Sequence, residues 1–346
     1  MSSATSPLTR SSSGRPALLR LVLLLPAGVA LLAGLDAAAM LLDVPAPIRL
    51  DRLPDVHGVL MVLGFVGTLI ALERAVALGH RLGYLAPGLL GLGGLFLISP
   101  APIEIGQALL VAGAVALIGV YLPLWRRQRD EAVLVQIIGA AAGLGAAMLW
   151  LGGVAVPELL GWLASFVILT IAGERLELAR LAMGPRAGTI MVALSHCLLA
   201  ALVATLLWPE IGTVLLGLVV LGMTGWLAQH DIARATIRQS GFPRYAAGCM
   251  LAGYAWLAIA GGIWLLGGPV ADGVRYDAVV HAVFLGFTFS MIMAHAPVIL
   301  PAVLRRPLPY HPALIGPVVL LHGSLVLRLW AGDGLGSQDA WVTGEC

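Results

Sequence analysis

The chain predicts an all-α fold, a polytopic transmembrane helical bundle of about eleven to twelve helices, and three observations carry that prediction. Sixty per cent of its 346 residues are apolar and only 11% are charged, with a mean hydropathy of +0.96. Apolar runs of about 20 residues recur from end to end, the length at which a helix crosses a hydrocarbon layer. The 20 basic residues are all arginines, and they gather on one side of successive runs. Backbone in lipid is satisfied only in helices or closed barrels, and continuous rather than alternating apolarity selects helices.

Residues 1–16, rich in Ser and Thr, read as a disordered cytoplasmic tail. The first apolar run follows Arg10 and Arg15 and is too long, without a good small-residue cleavage site, for a secretory signal; it reads as a retained helix. The predicted spans are 17–42, 56–79, 84–100, 103–124, 132–153, 157–179, 188–208, 211–229, 245–267, 277–301 and 312–331, forming one helical domain over 17–331. The third span is the weakest, because it carries the glycine-rich GLLGLGGLF. Residues 332–346 form a polar tail with no further span.

Arginine sets the topology. With the N-terminus in the cytoplasm, that side receives Arg10, Arg15, Arg20, Arg74, Arg81, Arg126, Arg127, Arg129, Arg175, Arg180, Arg186, Arg234, Arg238, Arg244, Arg305 and Arg306. The opposite side receives only Arg49, Arg52, Arg275 and Arg328. One missed span would scramble this skew, so the skew also tests the span count. Charge is spent on orientation, the net value being only +2; the partner is the lipid bilayer and not nucleic acid. Cys197, Cys249 and Cys346 show no CxxC or CxxCH spacing, which excludes covalent haem attachment and implies no disulfide framework. No phosphate-binding loop, HExxH or dinucleotide fingerprint is present, so hydrolase and nucleotide chemistry lack support. Trp125, Trp208, Trp256, Trp264 and Trp330 fall toward span ends and read as interface anchors.

A faint repeat links every fourth span. The second reads TLIALERAVAL and the sixth ILTIAGERLELARL, placing Glu73–Arg74 and Glu174–Arg175 near equivalent cytoplasmic ends. The tenth, HAVFLGFTFSMIMAHA, compares with HGVLMVLGFVGTLIAL of the second, each with a GF pair after a histidine. Three four-helix units, the last lacking its fourth helix, would produce this pattern.

His57 and His281 stand near the starts of the second and tenth spans, which run in the same direction. At about 1.5 Å rise per residue both sit within roughly 10 Å of the non-cytoplasmic interface. Two neutral imidazoles at one depth are available axial ligands for a haem iron held between the two helices. At α-helical spacing His57, Met61, Gly64 and Thr68 share a face, and so do His281, Leu285, Thr288 and Ile292. Gly64 and Gly67 would admit either a porphyrin or a neighbouring helix. The plainer reading of each histidine alone is a capping or water-bonded ring at the interface.

The run HGVLMVLGFVGTLI resembles the second helix of haem-copper oxidase catalytic subunits. It is more similar still to the NnrS-type family of haem- and copper-containing membrane proteins. That resemblance implies a twelve-helix subunit I-like scaffold, a bacterial inner membrane location, non-covalent b-type haem with possible copper, an undefined redox partner and a role in redox or nitric-oxide stress. Carried over residue by residue, it makes His57 and His281 the axial ligands. The chain departs from oxygen reductases: span six has no histidine and span seven has only His196, so the copper site of oxygen reduction is not expected.

His295 lies fourteen residues after His281, about 21 Å further along the helix, and cannot share its site. It joins a cytoplasmic-side layer of Glu73, Arg74, Glu174, Arg175, Glu177, Arg180, His230 and Asp231. Ionisable groups inside a membrane are costly and point to function. The layer reads either as an ion-pair network locking the repeat units together or as a second metal site on His295. His196, beside Cys197, and His322 are secondary metal candidates, copper being the ion that suits them. A cofactor-free secondary transporter using the Glu/Arg/His layer, or a membrane scaffold, is the alternative to a haem protein.

Overall fold

The computed structural model describes residues 14–304, 309–337 and 343. Arg10, Arg305, Arg306, Cys346, most of the N-terminal tail and part of the polar C-terminal tail lie outside them. Among the described residues there are no strands and ten helices long and apolar enough to cross a membrane, with a shorter eleventh. In chain order they are α1 (Gly14–Leu41), α2 (Leu53–Leu78), the short α3 (Arg81–Leu97), α4 (Ile103–Gln128), α5 (Glu131–Leu151), α6 (Val156–Leu178), α7 (Ala187–Leu207), α8 (Pro209–His230), α9 (Phe242–Gly267), α10 (Gly273–Pro301) and α11 (Pro312–Gly334). Leu25, Leu32, Leu207, Leu218, Val319 and Leu320 are exposed on the outside of the bundle. A surface of that kind is stable only in lipid, so the chain is a multi-pass membrane protein.

Helices α1 and α3 touch, as do α5 and α7, while Trp256 of α9 donates a hydrogen bond to His322 of α11 at 2.9 Å. Helix α4 packs on α5 and α8 on α9, and the end of α10 touches α1. Residues of α2, α6 and α10 line one common cavity.

Glycine sets the closest approaches, as expected where lipid removes the hydrophobic drive for helix association. The weak third span is a helix because its glycines face those of α4: a Cβ on Gly93 or on Gly106 would lie 3.2 Å from the other's carbonyl oxygen. A Cβ on Gly217 of α8 would lie 2.6 Å from the Gly261 carbonyl oxygen and 2.9 Å from Leu265 Cα on α9. These are backbone atoms that no rotamer change can move. Gly217→Leu is therefore expected to part α8 from α9 and cost about 1–3 kcal/mol or more. Thermal unfolding in detergent checks this; a variant as stable as wild type would remove the close-packing argument.

Two interface assignments change. Trp208 and Trp330 are exposed as anchors should be, but Trp256 and Trp264 are buried in the core. Trp256 is held there by its bond to His322 and by packing against Gly286.

Candidate functional site

Helices α2 and α10 each contain a widened turn with i→i+5 hydrogen bonding. In α2 it covers Leu60–Gly67, beginning three residues after His57, and in α10 it covers His281–Phe289, beginning at the histidine itself. Such turns insert one extra residue and turn all later side chains by about 100° relative to a straight helix. The α-helical face drawn from the sequence is corrected accordingly. Met61 packs over Gly34 of α1, and Gly64 faces Gly94 of α3 and Ala30 of α1. Gly67 meets Phe166 of α6 and Leu90 of α3. These residues admit neighbouring helices rather than a porphyrin.

What the widened turns bring together is Phe65 and Phe289, whose ring centroids lie 6.3 Å apart. Each phenylalanine follows its histidine by eight residues. With one residue absorbed by the widened turn, eight positions behave as seven, which is about two α-helical turns and within roughly 20° of the same face. Each histidine thus lies near the helix face that carries its phenylalanine, about 10 Å along its own helix from it. Both rings are half-buried.

His281 is oriented by its own helix. Its Nδ1 donates to the Asp277 carbonyl oxygen at 2.8 Å and lies 3.3 Å from Asp277 Oδ1. The same carboxylate takes two bonds from the buried Arg328 of α11, at 2.7 and 2.9 Å. A ring held through Nδ1 beside a carboxylate is an arrangement also found at metal-bound histidines. The Asp277–Arg328 pair was not anticipated from the sequence, although an aspartate four residues before a helical histidine was there to be read.

The remaining histidines have other work. His295 donates from Nδ1 to the Met291 carbonyl at 2.7 Å, and its Nε2 lies 3.0 Å from Arg175 Nη1. Because arginine can only donate, Nε2 accepts and both ring nitrogens are used. His322 is likewise spanned, accepting from Trp256 at Nδ1 with Nε2 3.4 Å from Ser290 Oγ. His196 is exposed and bonds back to the Val192 carbonyl at 2.8 Å, beside an exposed Cys197. Among the described residues no group of three or more His, Cys, Asp or Glu is placed to hold a metal ion. His295, His322 and His196 are thus accounted for as hydrogen-bonded side chains, and the structure assembles no metal site from them.

The layer of ionisable residues is an ion-pair network in two parts. Arg74 of α2 bonds Glu73 and reaches Gln136 of α5 at 3.3 Å and Glu177 at the end of α6 at 3.2 Å. Arg175 of α6 forms a bidentate pair with Asp231 at 2.8 Å, and Tyr254 of α9 donates to the same carboxylate at 2.7 Å. Arg74 thereby ties α2 to α5 and α6, and Arg175 ties α6 to the connection between α8 and α9. Arg180 pairs with Asp130 near the surface. His230 leaves the layer: it is exposed, stacks on Trp226 and bonds the Trp226 carbonyl at 2.9 Å.

Between α1, α2, α6 and α10 lies a cavity of about 220 Å³, at the end of the bundle that carries Glu73 and Glu174, with almost entirely apolar walls. Glu73, Glu174, Thr170, Thr288 and His295 supply its polar atoms. Among the described residues, Glu174 makes no hydrogen bond or ion pair within bonding distance, since Arg74 and Arg175 are committed elsewhere. The cavity is well below the roughly 300–1,000 Å³ of sites for larger ligands and cannot hold a porphyrin. It is distinct from the histidine pair.

A family model described as Domain of unknown function (DUF8744) matches residues 20–346. No curated protein and no solved structure matches the chain.

Proposed function

The chain belongs to the DUF8744 family, and we propose that it is a haem-binding membrane protein whose axial ligands are His57 and His281. The observation that supports this reading is the Phe65–Phe289 contact, centroids 6.3 Å apart, each ring eight residues after its histidine. The donor set fits the group: two neutral-type nitrogen donors, one of them backed by Asp277 and Arg328. Haem bound in this way would supply one-electron redox chemistry.

The chain's own residues do the rest. Asp277 fixes the His281 tautomer and ring plane, Arg328 holds Asp277, and the apolar flanks of α2 and α10 exclude water. An NnrS-type relation, a nitric-oxide stress role, a bacterial inner membrane setting with a cytoplasmic N-terminus and an unidentified redox partner belong to this proposal by resemblance and arginine asymmetry alone. Copper gains no support from the donor groups present.

The test is the visible spectrum of protein purified from cells supplied with a haem precursor. A Soret band and a reduced-minus-oxidised difference at near-stoichiometric haem are expected. A colourless, folded protein sinks the proposal and returns the cavity and its unpaired carboxylate to the transporter reading.

A further inference from the structure

On the outside of the bundle, where α9 ends and α10 begins, two opposite charges stand over one corner of the backbone. Glu210, in the first turn of α8, lies seven residues before Gly217, about two turns, and so near the face that packs against α9. A Cβ on Gly268 would lie 3.0 Å from Glu210 Oε2, and a Cβ on the adjacent Gly267 would lie 2.8 Å from Arg275 Nη1. Arg275 donates from that nitrogen to the Gly267 carbonyl at 2.7 Å, which uses one of its five N–H groups. Both residues are exposed, and among the described residues no ion pair joins them to each other or to a third group.

Trp208 gives the depth of this corner. It stands at the N-cap of α8, two residues before Glu210, and is exposed in the manner of an interface anchor. Beside the charges α9 turns a groove outward, lined by Ile259, Gly262, Ile263 and Leu266. That spacing is one helix face, about 10 Å long. Ile259 and Leu266 are exposed, and Gly262 leaves the gap between them: a Cβ there would meet nothing within 4 Å. An apolar trough thus faces the hydrocarbon with a cation and an anion at its head.

The charge pattern selects the occupant. A phosphate takes the remaining donors of a guanidinium through paired hydrogen bonds. A primary ammonium brings three N–H donors to a carboxylate, whereas a quaternary ammonium brings none. A headgroup that carries a phosphate and a primary ammonium a short link apart matches both charges at once, and an acyl chain on the same molecule covers the trough. We propose that this corner binds phosphatidylethanolamine, with its phosphate on Arg275, its ammonium on Glu210 and one acyl chain along the groove of α9. The site is separate from the histidine pair and does not rest on haem being bound.

Native mass spectrometry of the full chain in neutral detergent tests this, with titration of dioleoyl phosphatidylethanolamine, phosphatidylcholine and phosphatidylglycerol in turn. The ethanolamine lipid is expected to bind about fivefold tighter than either of the others, one exposed charge pair at the upper end of its usual worth accounting for that ratio. Arg275→Gln should weaken all three lipids by about fivefold, since each carries the phosphate. Glu210→Gln should leave the choline lipid unchanged and erase the preference for ethanolamine. Gly262→Phe, which fills the trough from an open position, should weaken all three. Equal binding of the ethanolamine and choline lipids, tighter binding of phosphatidylglycerol, a preference that survives Glu210→Gln, or undiminished binding in Gly262→Phe would each overturn the proposal.

Discussion

His57→Ala and His281→Ala are each expected to purify with about a tenth or less of the wild-type haem, and to fold normally. Loss of groups that only support a ligand already costs about 10–100-fold in affinity at metal sites, so loss of the ligand itself should cost at least as much. Folding should survive because both rings are half-buried and alanine is the best helix former. The control is His196→Ala: an exposed ring bonded to its own helix has no part in the pair, and its spectrum should match wild type. Pigment measured per mole of folded protein decides the matter. Wild-type haem in either ligand variant would mean that the phenylalanine register has been misread.

The second large effect is thermodynamic. Arg175→Leu is expected to destabilise the protein by about 3–5 kcal/mol, because it leaves the Asp231 carboxylate buried without its cation. That carboxylate is completely inaccessible, while the Arg175 side chain is 5% exposed. Arg180→Leu should cost about 1 kcal/mol or less, since Arg180 is 57% exposed and its pair with Asp130 competes with water. The double variant Arg175→Leu with Asp231→Leu should recover much of the loss, as apolar replacement of both partners removes the orphaned charge. If both single arginine variants melt together, the network is not what holds the units.

The same pair has a pH signature. Burial by itself pushes the Asp231 carboxyl up, but the hydrogen bonds and charge of Arg175, helped by the Ala233 N–H and the Tyr254 hydroxyl, hold it below the ordinary 3.8. A depressed carboxyl stabilises the folded state fully above its unfolded value and loses that contribution as the pH falls through the folded one. Stability from this pair should be flat across neutral pH and fall only below about 4.

Much of this molecule was legible in its residues. The helical class and the succession of apolar spans followed from run length, because lipid permits so few alternatives. The Glu–Arg pairs of the second and sixth spans hold two buried arginines that reach across to other helices. Helix faces were less legible. Periodicity assumes 3.6 residues per turn, and nothing in LMVLGFVG or HAVFLGFTF announces a wider turn, so Met61 and Gly64 were given to the wrong side. His230 and Trp256 were misplaced for a related reason: sequence position gives depth in the membrane, while rotation about the axis depends on neighbours. The cavity could not be foreseen, since it is what four separate helices leave unfilled.

The two widened turns carry a consequence for how this bundle can be edited. Removing one amino acid from a regular membrane helix misaligns everything beyond it, but here each of α2 and α10 holds a surplus position that its own hydrogen bonding already treats as an insertion. Excising a single residue, Val62 for example, lets the segment relax to ordinary winding while the lower half of α2 keeps its seat. Seven ordinary positions would then separate the imidazole above from Phe65, about two turns, so the ring keeps its face. A shortened helix that keeps both its pigment and its stability is the expected outcome.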